Sequence, residues 1–269
     1  NGGIDIVCAD SIDARGDLNL NGISNEIADA VVYTNYFVYG LSAFNVNLEG
    51  QIAASDVNAD GLTLSVADLV YLIRIVVGDA NPFPKVVETV NAEYTHNRAG
   101  VMSVVGETQM GAAFVVVEGD ASPELLASDM EMRYNYDGVN TRILVYSMQA
   151  NDFSGDFLQV TGDIVSIEMA TSDGSIVATK ELPTEFALNQ NYPNPFNPST
   201  TVSFSLPTAS DYDLRIYNVN GQEVATFSGH AEAGIVELEW EASNLASGIY
   251  FYKLSADNFS DTKKMVLLK

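Results

Sequence analysis

The feature that most constrains this chain is a duplication. Asp17, Asn19, Asn21, Gly22, Ala28 and Asp29 recur 39 residues later as Asp56, Asn58, Asp60, Gly61, Ala67 and Asp68. In each copy oxygen-bearing side chains stand at alternate positions, so every second one points at a common centre, and the glycine permits the sharp turn around it. An acidic residue closes each loop. An apolar segment ending near glycine follows, "AVVYTNYFVYG" to Gly40 and "LVYLIRIVVG" to Gly78. Val66, Leu69, Val70, Ile73, Val76 and Val77 fall at the spacing i, i+3, i+4, i+7, which predicts a helix with one apolar face. Each unit is therefore loop plus helix, and the two helices can pack their apolar faces together.

All-oxygen loops of this kind suit calcium, which takes six to eight hard oxygen ligands. The same residues could instead make only Asx-turns and helix caps. Composition favours a cation. The net charge is −24, from 36 acidic residues against 12 basic ones, which argues against nucleic acid or an anionic membrane as partner. With 47% hydrophobic and 18% charged residues the chain can bury real cores. No apolar run is long enough for a membrane span. The chain begins at Asn1, without an initiator Met or signal peptide, and reads as a mature product or a fragment of something longer. A single cysteine, Cys8, rules out an internal disulfide; it is a small buried hydrophobe or a point of intermolecular attachment.

The duplicated D-x-N-x-[DN]-G loops, each followed by one apolar helix, resemble the dockerin type I domain over residues 10–83. The resemblance implies one calcium per loop and a cohesin-like protein partner. Carried over by position, the ligands are Asp17, Asn19, Asn21 and Asp29, then Asp56, Asn58, Asp60 and Asp68, with backbone carbonyls at Ile23 and Leu62. Both loops depart from the family by closing at the thirteenth residue instead of the twelfth. That departure leaves the carbonyl position, and any ligand from Glu26 or Ser65, open.

"GDANPFPK", Gly78 to Lys85, carries two prolines and no periodicity and reads as a linker. Beyond it the pattern alternates. "GAAFVVVEG", "DMEMRYNYDG", "TRILVYSMQ" and "DIVSIEMATSDG" read as strands separated by turn residues. In the second of these Met130, Met132, Tyr134 and Tyr136 share one face, with Glu131, Arg133 and Asn135 on the other. Asp137-Gly138 signals a hairpin. Residues 84–184 are thus expected to form an antiparallel β-sandwich, which resembles a cohesin-like domain.

The last third opens with "LNQNYPNPFNPSTTVSFSLP", whose prolines exclude a helix before a strand begins at Thr201. Asn220-Gly221 marks a second hairpin, and "GIVELEWEA" alternates with Val236, Leu238 and Trp240 inward and Glu237, Glu239 and Glu241 outward. An immunoglobulin-like sandwich over 185–269 follows. The run "QNYPNPFNPST…IYNVNGQEV…SGIYFYKL…KKMVLLK" closely resembles the type A C-terminal sorting domain of the type IX secretion system. The resemblance implies a bacterial protein exported across the outer membrane by that machinery, to the cell surface or the extracellular space.

Catalytic signatures are lacking. His96 and His230 fall in different expected domains, and neither a nucleophile elbow, a zinc-binding helix motif nor a phosphate loop is present. The expected architecture is multidomain and mainly β: a small helical calcium-loop domain at 1–83, then two antiparallel β-sandwiches at 84–184 and 185–269. The expected role is non-enzymatic, that of a calcium-stabilised surface protein. It either polymerises head to tail or docks a cohesin-like partner. The alternative is the export and anchoring end of a larger secreted protein.

Overall fold

The computed structural model describes residues 15–82 and 88–269. Cys8 lies outside the described residues, as do residues 83–87, which include the end of the expected linker. The chain divides into two compact units, Asn1–Lys180 and Glu181–Lys269.

In the first unit the duplicated segments form the expected helices, α1 at Ile27–Tyr39 and α3 at Val66–Val77, with a short α2 at Leu48–Ala54 between them. Their ends are written in the sequence. Glu26 and Asp29 make a capping box at the start of α1, while the Ser65 side chain accepts the Asp68 N–H at the start of α3. Gly78 ends α3 in the left-handed conformation at φ 90°. Helix α2, capped by Asn47, is too short and glycine-interrupted to carry a periodic signal.

Nine strands follow: β1 Thr89–His96, β2 Val101–Val105, β3 Met110–Glu118, β4 Glu124–Leu125, β5 Glu131–Tyr136, β6 Asn140–Tyr146, β7 Gly155–Gln159, β8 Ile164–Thr171 and β9 Ile176–Leu182. They make one sheet in the order β4-β7-β2-β1-β9-β8-β3-β6-β5. Strands β3, β5, β6 and β8 are those the alternation predicts, and Asp137-Gly138 turns β5 into β6. Side chains from distant parts of the sheet share one buried cluster. Met102, Val104 and Phe157 come from β2 and β7; Val115, Ile143, Val145 and Met169 come from β3, β6 and β8. The sheet therefore folds over on itself as the two layers of a sandwich.

Alternation along β3, β6 and β8 sends the intervening residues the other way. Ala112, Leu144, Tyr146 and Ala170 join the core of the helices, with Tyr33, Phe37, Leu69, Leu72 and Ile73, and Phe114 packs against it. Strand β3 is consequently apolar on both faces, as a strand covered on both sides must be. Each large side chain buried here stabilises by roughly 1.5–3 kcal/mol. Gly111 marks the closest approach, since a Cβ there would lie 2.8 Å from Cγ1 of Val70 on α3. Arginines fasten the edges of this layer. Arg133 donates to Thr34 Oγ1 at 2.9 Å and Asn35 Oδ1 at 2.7 Å, and Arg74 donates to the Asp173 carbonyl at 3.0 Å.

The second unit holds β10 Ala187–Leu188, β11 Ser199–Leu206, β12 Ser210–Asn218, β13 Glu223–Ala231, β14 Gly234–Glu241, β15 Gly248–Ala256 and β16 Phe259–Leu267. Sheets β10-β11-β14 and β13-β12-β15-β16 enclose Phe196, Phe204, Ile216, Trp240, Tyr252 and Leu254. The Asn/Pro-rich opening ties the two sheets together. Tyr192 exchanges backbone bonds with Thr201 on β11, whereas Phe196 donates to Val266 O on β16 at 2.9 Å. Asn191 is buried in the same seam. Its N–H donates to the Tyr252 hydroxyl at 2.9 Å, and its amide nitrogen donates to the Thr200 hydroxyl at 2.9 Å. Prolines suit this stretch because its extended backbone has few donors to place in a ladder.

Candidate metal centre

The two loops carry one hydrogen-bond skeleton, repeated. Asn19 N–H donates to Asp29 Oδ1 at 3.0 Å, and its counterpart Asn58 N–H donates to Asp68 Oδ1 at 3.2 Å. Asp17 Oδ2 accepts Gly22 N–H at 2.9 Å, as Asp56 Oδ1 accepts Gly61 N–H at 3.3 Å. The third-position amides, Asn19 and Asn58, accept from Asn21 and Asp60 at 2.9 and 3.0 Å. The fifth-position side chains, Asn21 and Asp60, accept from Ile23 and Leu62 at 2.8 and 2.7 Å. Backbone angles repeat with them. Leu20 and Ala59 lie at φ 55° and 60°, Gly22 and Gly61 at 90° and 87°, Asn25 and Leu64 at 63° and 65°. A leucine at positive φ is costly in isolation, so the shared skeleton imposes the turn on whatever residue stands there.

Every expected ligand is thus part of a closed loop. Asp29, Asn58 and Asp68 are fully buried and Asp17 and Asp56 nearly so, while Asn21 is exposed. Ile23 and Leu62 contribute backbone to the loop and leave their side chains exposed. The loops also lean on each other. Gly16 N–H donates to Ala54 O at 2.8 Å, Gln51 Nε2 donates to Leu18 O at 2.7 Å, and Arg15 lies 3.7 Å from Asp56.

Two residues outside the expected ligand set support the loops. The buried Tyr33 of α1 directs its hydroxyl at Ser55 O, 3.3 Å away, and at Ser65 O, 3.1 Å away, and so bridges the two ends of the second loop. Glu26 folds over the first loop, where Oε1 accepts from the side-chain amides of Asn19 and Asn21. Ser65 occupies the matching position in the second loop, where it donates to Asp68 Oδ2 at 2.6 Å.

The electrostatics are those of carboxylates short of a countercharge. Burial pushes the Asp68 carboxyl up to about 7, against the pull of its bonds from Ser65 and Asn58, and Asp60 and Asp56 add repulsion. Burial also raises Asp29, opposed by N–H bonds from Asn19 and Glu26. Among the described residues, neither Asp29 nor Asp68 has a basic side chain as ion-pair partner. Nor do three His, Cys, Asp or Glu side chains gather as a ready-made metal site among them. The donor set consists instead of two Asp and two Asn in the first loop, and three Asp and one Asn in the second, with backbone oxygens to add. Its chemistry is all oxygen, hard and anionic, and so fits calcium.

The histidines have local explanations. His96 Nε2 lies 2.9 Å from Val160 O, and the exposed His230 pairs with Asp211 at 2.8 Å.

Chain and site together define a mainly β protein with a helical loop pair seated on one sheet. Residues 190–268 match the family described as the secretion system C-terminal sorting domain. That domain marks the chain for export by type IX secretion to the cell surface or extracellular space, and implies contact with the secretion machinery. Among the described residues no helix is long and apolar enough to cross a membrane. No curated protein matches the chain. Solved structures give only distant likenesses. The BSP domain of a biofilm associated protein is 8% identical over 68% of this chain and 51% of its own, at a TM-score of 0.25. The FN1-FN3 domains of chicken CNTN1 are 12% identical over 67% and 64%, at 0.25. A DUF3823 family protein of Parabacteroides merdae is 11% identical over 68% and 100%, at 0.24. The chain thus spans about half of the first of these.

Proposed function

We propose that this is a calcium-stabilised structural or adhesive protein of the cell surface, which docks or self-assembles through its helical and sandwich modules. The observation that carries the proposal is the doubled loop skeleton, with buried carboxylates in both copies and a sorting domain on the same chain. Asp17, Asn19, Asn21, Asp29 and the Ile23 carbonyl would hold one calcium. Asp56, Asn58, Asp60, Asp68 and the Leu62 carbonyl would hold the other. Bound calcium supplies the positive charge that lets these oxygens converge, so folding and binding are linked. Ile27 and Val31, one turn apart on α1 and both exposed, supply an apolar contact for a cohesin-like partner or a second copy. The proposal includes no enzymatic role.

The test is calorimetry and light scattering of the chain in millimolar calcium and in excess chelator. Two calcium ions per chain, with polymers that form in calcium and dissolve in chelator, are the expected result. A chain that takes up no calcium ends the proposal. A second reading, favoured by the sorting-domain match, makes this chain the export and anchoring end of a larger protein. It predicts calcium uptake without polymers.

A further inference from the structure

One half-buried carboxylate outside the loops faces the helices. Glu168 stands on β8, and its Oε1 accepts the Val66 N–H at 2.6 Å across 102 residues of sequence. Val66 is the first residue of α3, where backbone N–H groups have no partner within the helix and the helix dipole favours an anion. Ser65 caps the Asp68 N–H from within the loop, and Glu168 caps the neighbouring donor from the sheet. The opposite polarity is served nearby. Arg142 on β6 donates to Phe37 O at 2.8 Å, in the last turn of α1, where a carbonyl favours a cation. Between them Phe114, directly across from Glu168, meets the Phe37 ring at 5.2 Å and carries the Arg142 guanidinium at 4.9 Å from its centre. One sheet face thus offers an anion to a helix start and a cation to a helix end.

We infer that the sandwich is the docking partner of the helix pair within this chain, and that Glu168 is a positioning residue which ties order in the loop Asp56–Asp68 to that docking. The inference rests on the calcium reading for its metal arm alone. It also assigns the faces. The side of the helices turned to β3, β6 and β8 is occupied by the chain itself, so any other protein must take the opposite side. Among the described residues the first loop shows no such tether, and its helix is held by Arg133 and Arg142 toward the far end.

Hydrogen exchange by mass spectrometry on the full chain, with wild type, Glu168→Ala and Glu168→Gln in calcium and in chelator, tests this. In Glu168→Ala, amides of α3 and the second loop should exchange about tenfold faster or more, since a charge-assisted bond is lost. Glu168→Gln still accepts the bond without charge and should fall between. Amides of Asp17–Asp29 should not change. In calcium, the second site should weaken several-fold while the first holds. Equal exchange at α3 in wild type and Glu168→Ala would overturn the inference, as would equal acceleration of both loops. If wild type takes up no calcium, the metal reading falls. The chelator comparison then decides the docking role by itself. If Glu168→Ala fails to fold, Glu168→Gln decides by the same α3 criterion.

Discussion

The two loops share a skeleton and differ in how they close, and Asp29 and Asp68 show what the difference does. Both oxygens of Asp29 accept backbone N–H groups, from Asn19 and from Glu26 at 3.0 Å each. Asp68 accepts one backbone N–H, from Asn58, and one hydroxyl, from Ser65. A hydroxyl can turn round and accept, whereas an N–H cannot. Charge is also moved between copies. The first loop has Asn21 and Glu26 where the second has Asp60 and Ser65, so each retains three carboxylates. A repeated site can therefore keep its charge while changing which side chains supply it. The second copy is also attached to the sheet, through Glu168.

The largest expected effect treats the loops alike. Asp29→Asn and Asp68→Asn should each remove one calcium from the calorimetric stoichiometry. Each should forfeit the linked stabilisation, about 2.7 kcal/mol at a hundredfold excess over Kd. Retention of two ions by either variant would break the assignment of that residue. Chelator then separates the loops. Asp29→Asn sets an amide NH2 against a buried N–H and should cost about 1–3 kcal/mol in thermal or denaturant unfolding. Asp68→Asn keeps an acceptor for Asn58 N–H while Ser65 Oγ turns to accept, so the variant should match or exceed wild type in chelator.

Dependence on pH sharpens the same contrast. The folded chain raises Asp68 to about 7, well above the value of about 3.9 expected when unfolded. Between those values the folded state holds a proton that the unfolded state has lost. Metal-free stability from this group is therefore greatest below about 4, falls as pH rises toward 7, and levels off above. Asp68→Asn should remove that decline relative to wild type in chelator. Calcium needs the ionised form, so its added stabilisation should grow over the same range. A wild-type decline that persists unchanged in Asp68→Asn would assign the titration elsewhere.

Much of this was legible from residue spacing. The loops, the starts of α1 and α3, the β5–β6 hairpin and the alternation of β14 follow from periodicity and turn chemistry that act over a few residues. Docking of the helices on the sheet does not, because it joins Val66 to Glu168 and Thr34 to Arg133 across the length of a domain. A trace of it was present in "GAAFVVVEG", where Ala112, Phe114 and Val116 are as apolar as the alternate residues between them. Arg133 and Glu168 have no local signature of docking, since a charged strand residue that bonds a distant helix has the same kind of sequence neighbours as a solvated one. Strands β1, β2, β7 and β9 have short or mixed patterns, and their pairing is supplied by the sheet around them.

The smallest effect concerns the helix starts. Ser65→Ala removes a cap that accepts the Asp68 N–H at 3.1 Å and donates to the Asp68 carboxylate, and should cost about 1 kcal/mol. Glu26→Gln preserves the shape of the first cap and loses only its charge near the start of α1, so about 0.3–1 kcal/mol is expected at low salt. The serine should therefore matter more than the glutamate, although the glutamate carries the charge. Calcium should reverse the ordering. Ser65→Ala leaves Asp68 Oδ2 without its hydroxyl donor, and a cation can take that place, so its cost should shrink when calcium is added. Glu26→Gln removes one of the three carboxylates around the first loop, so its cost should grow. Unfolding midpoints of the two variants, measured with calcium and with chelator, should consequently cross; parallel shifts would mean that Glu26 acts only as a helix cap.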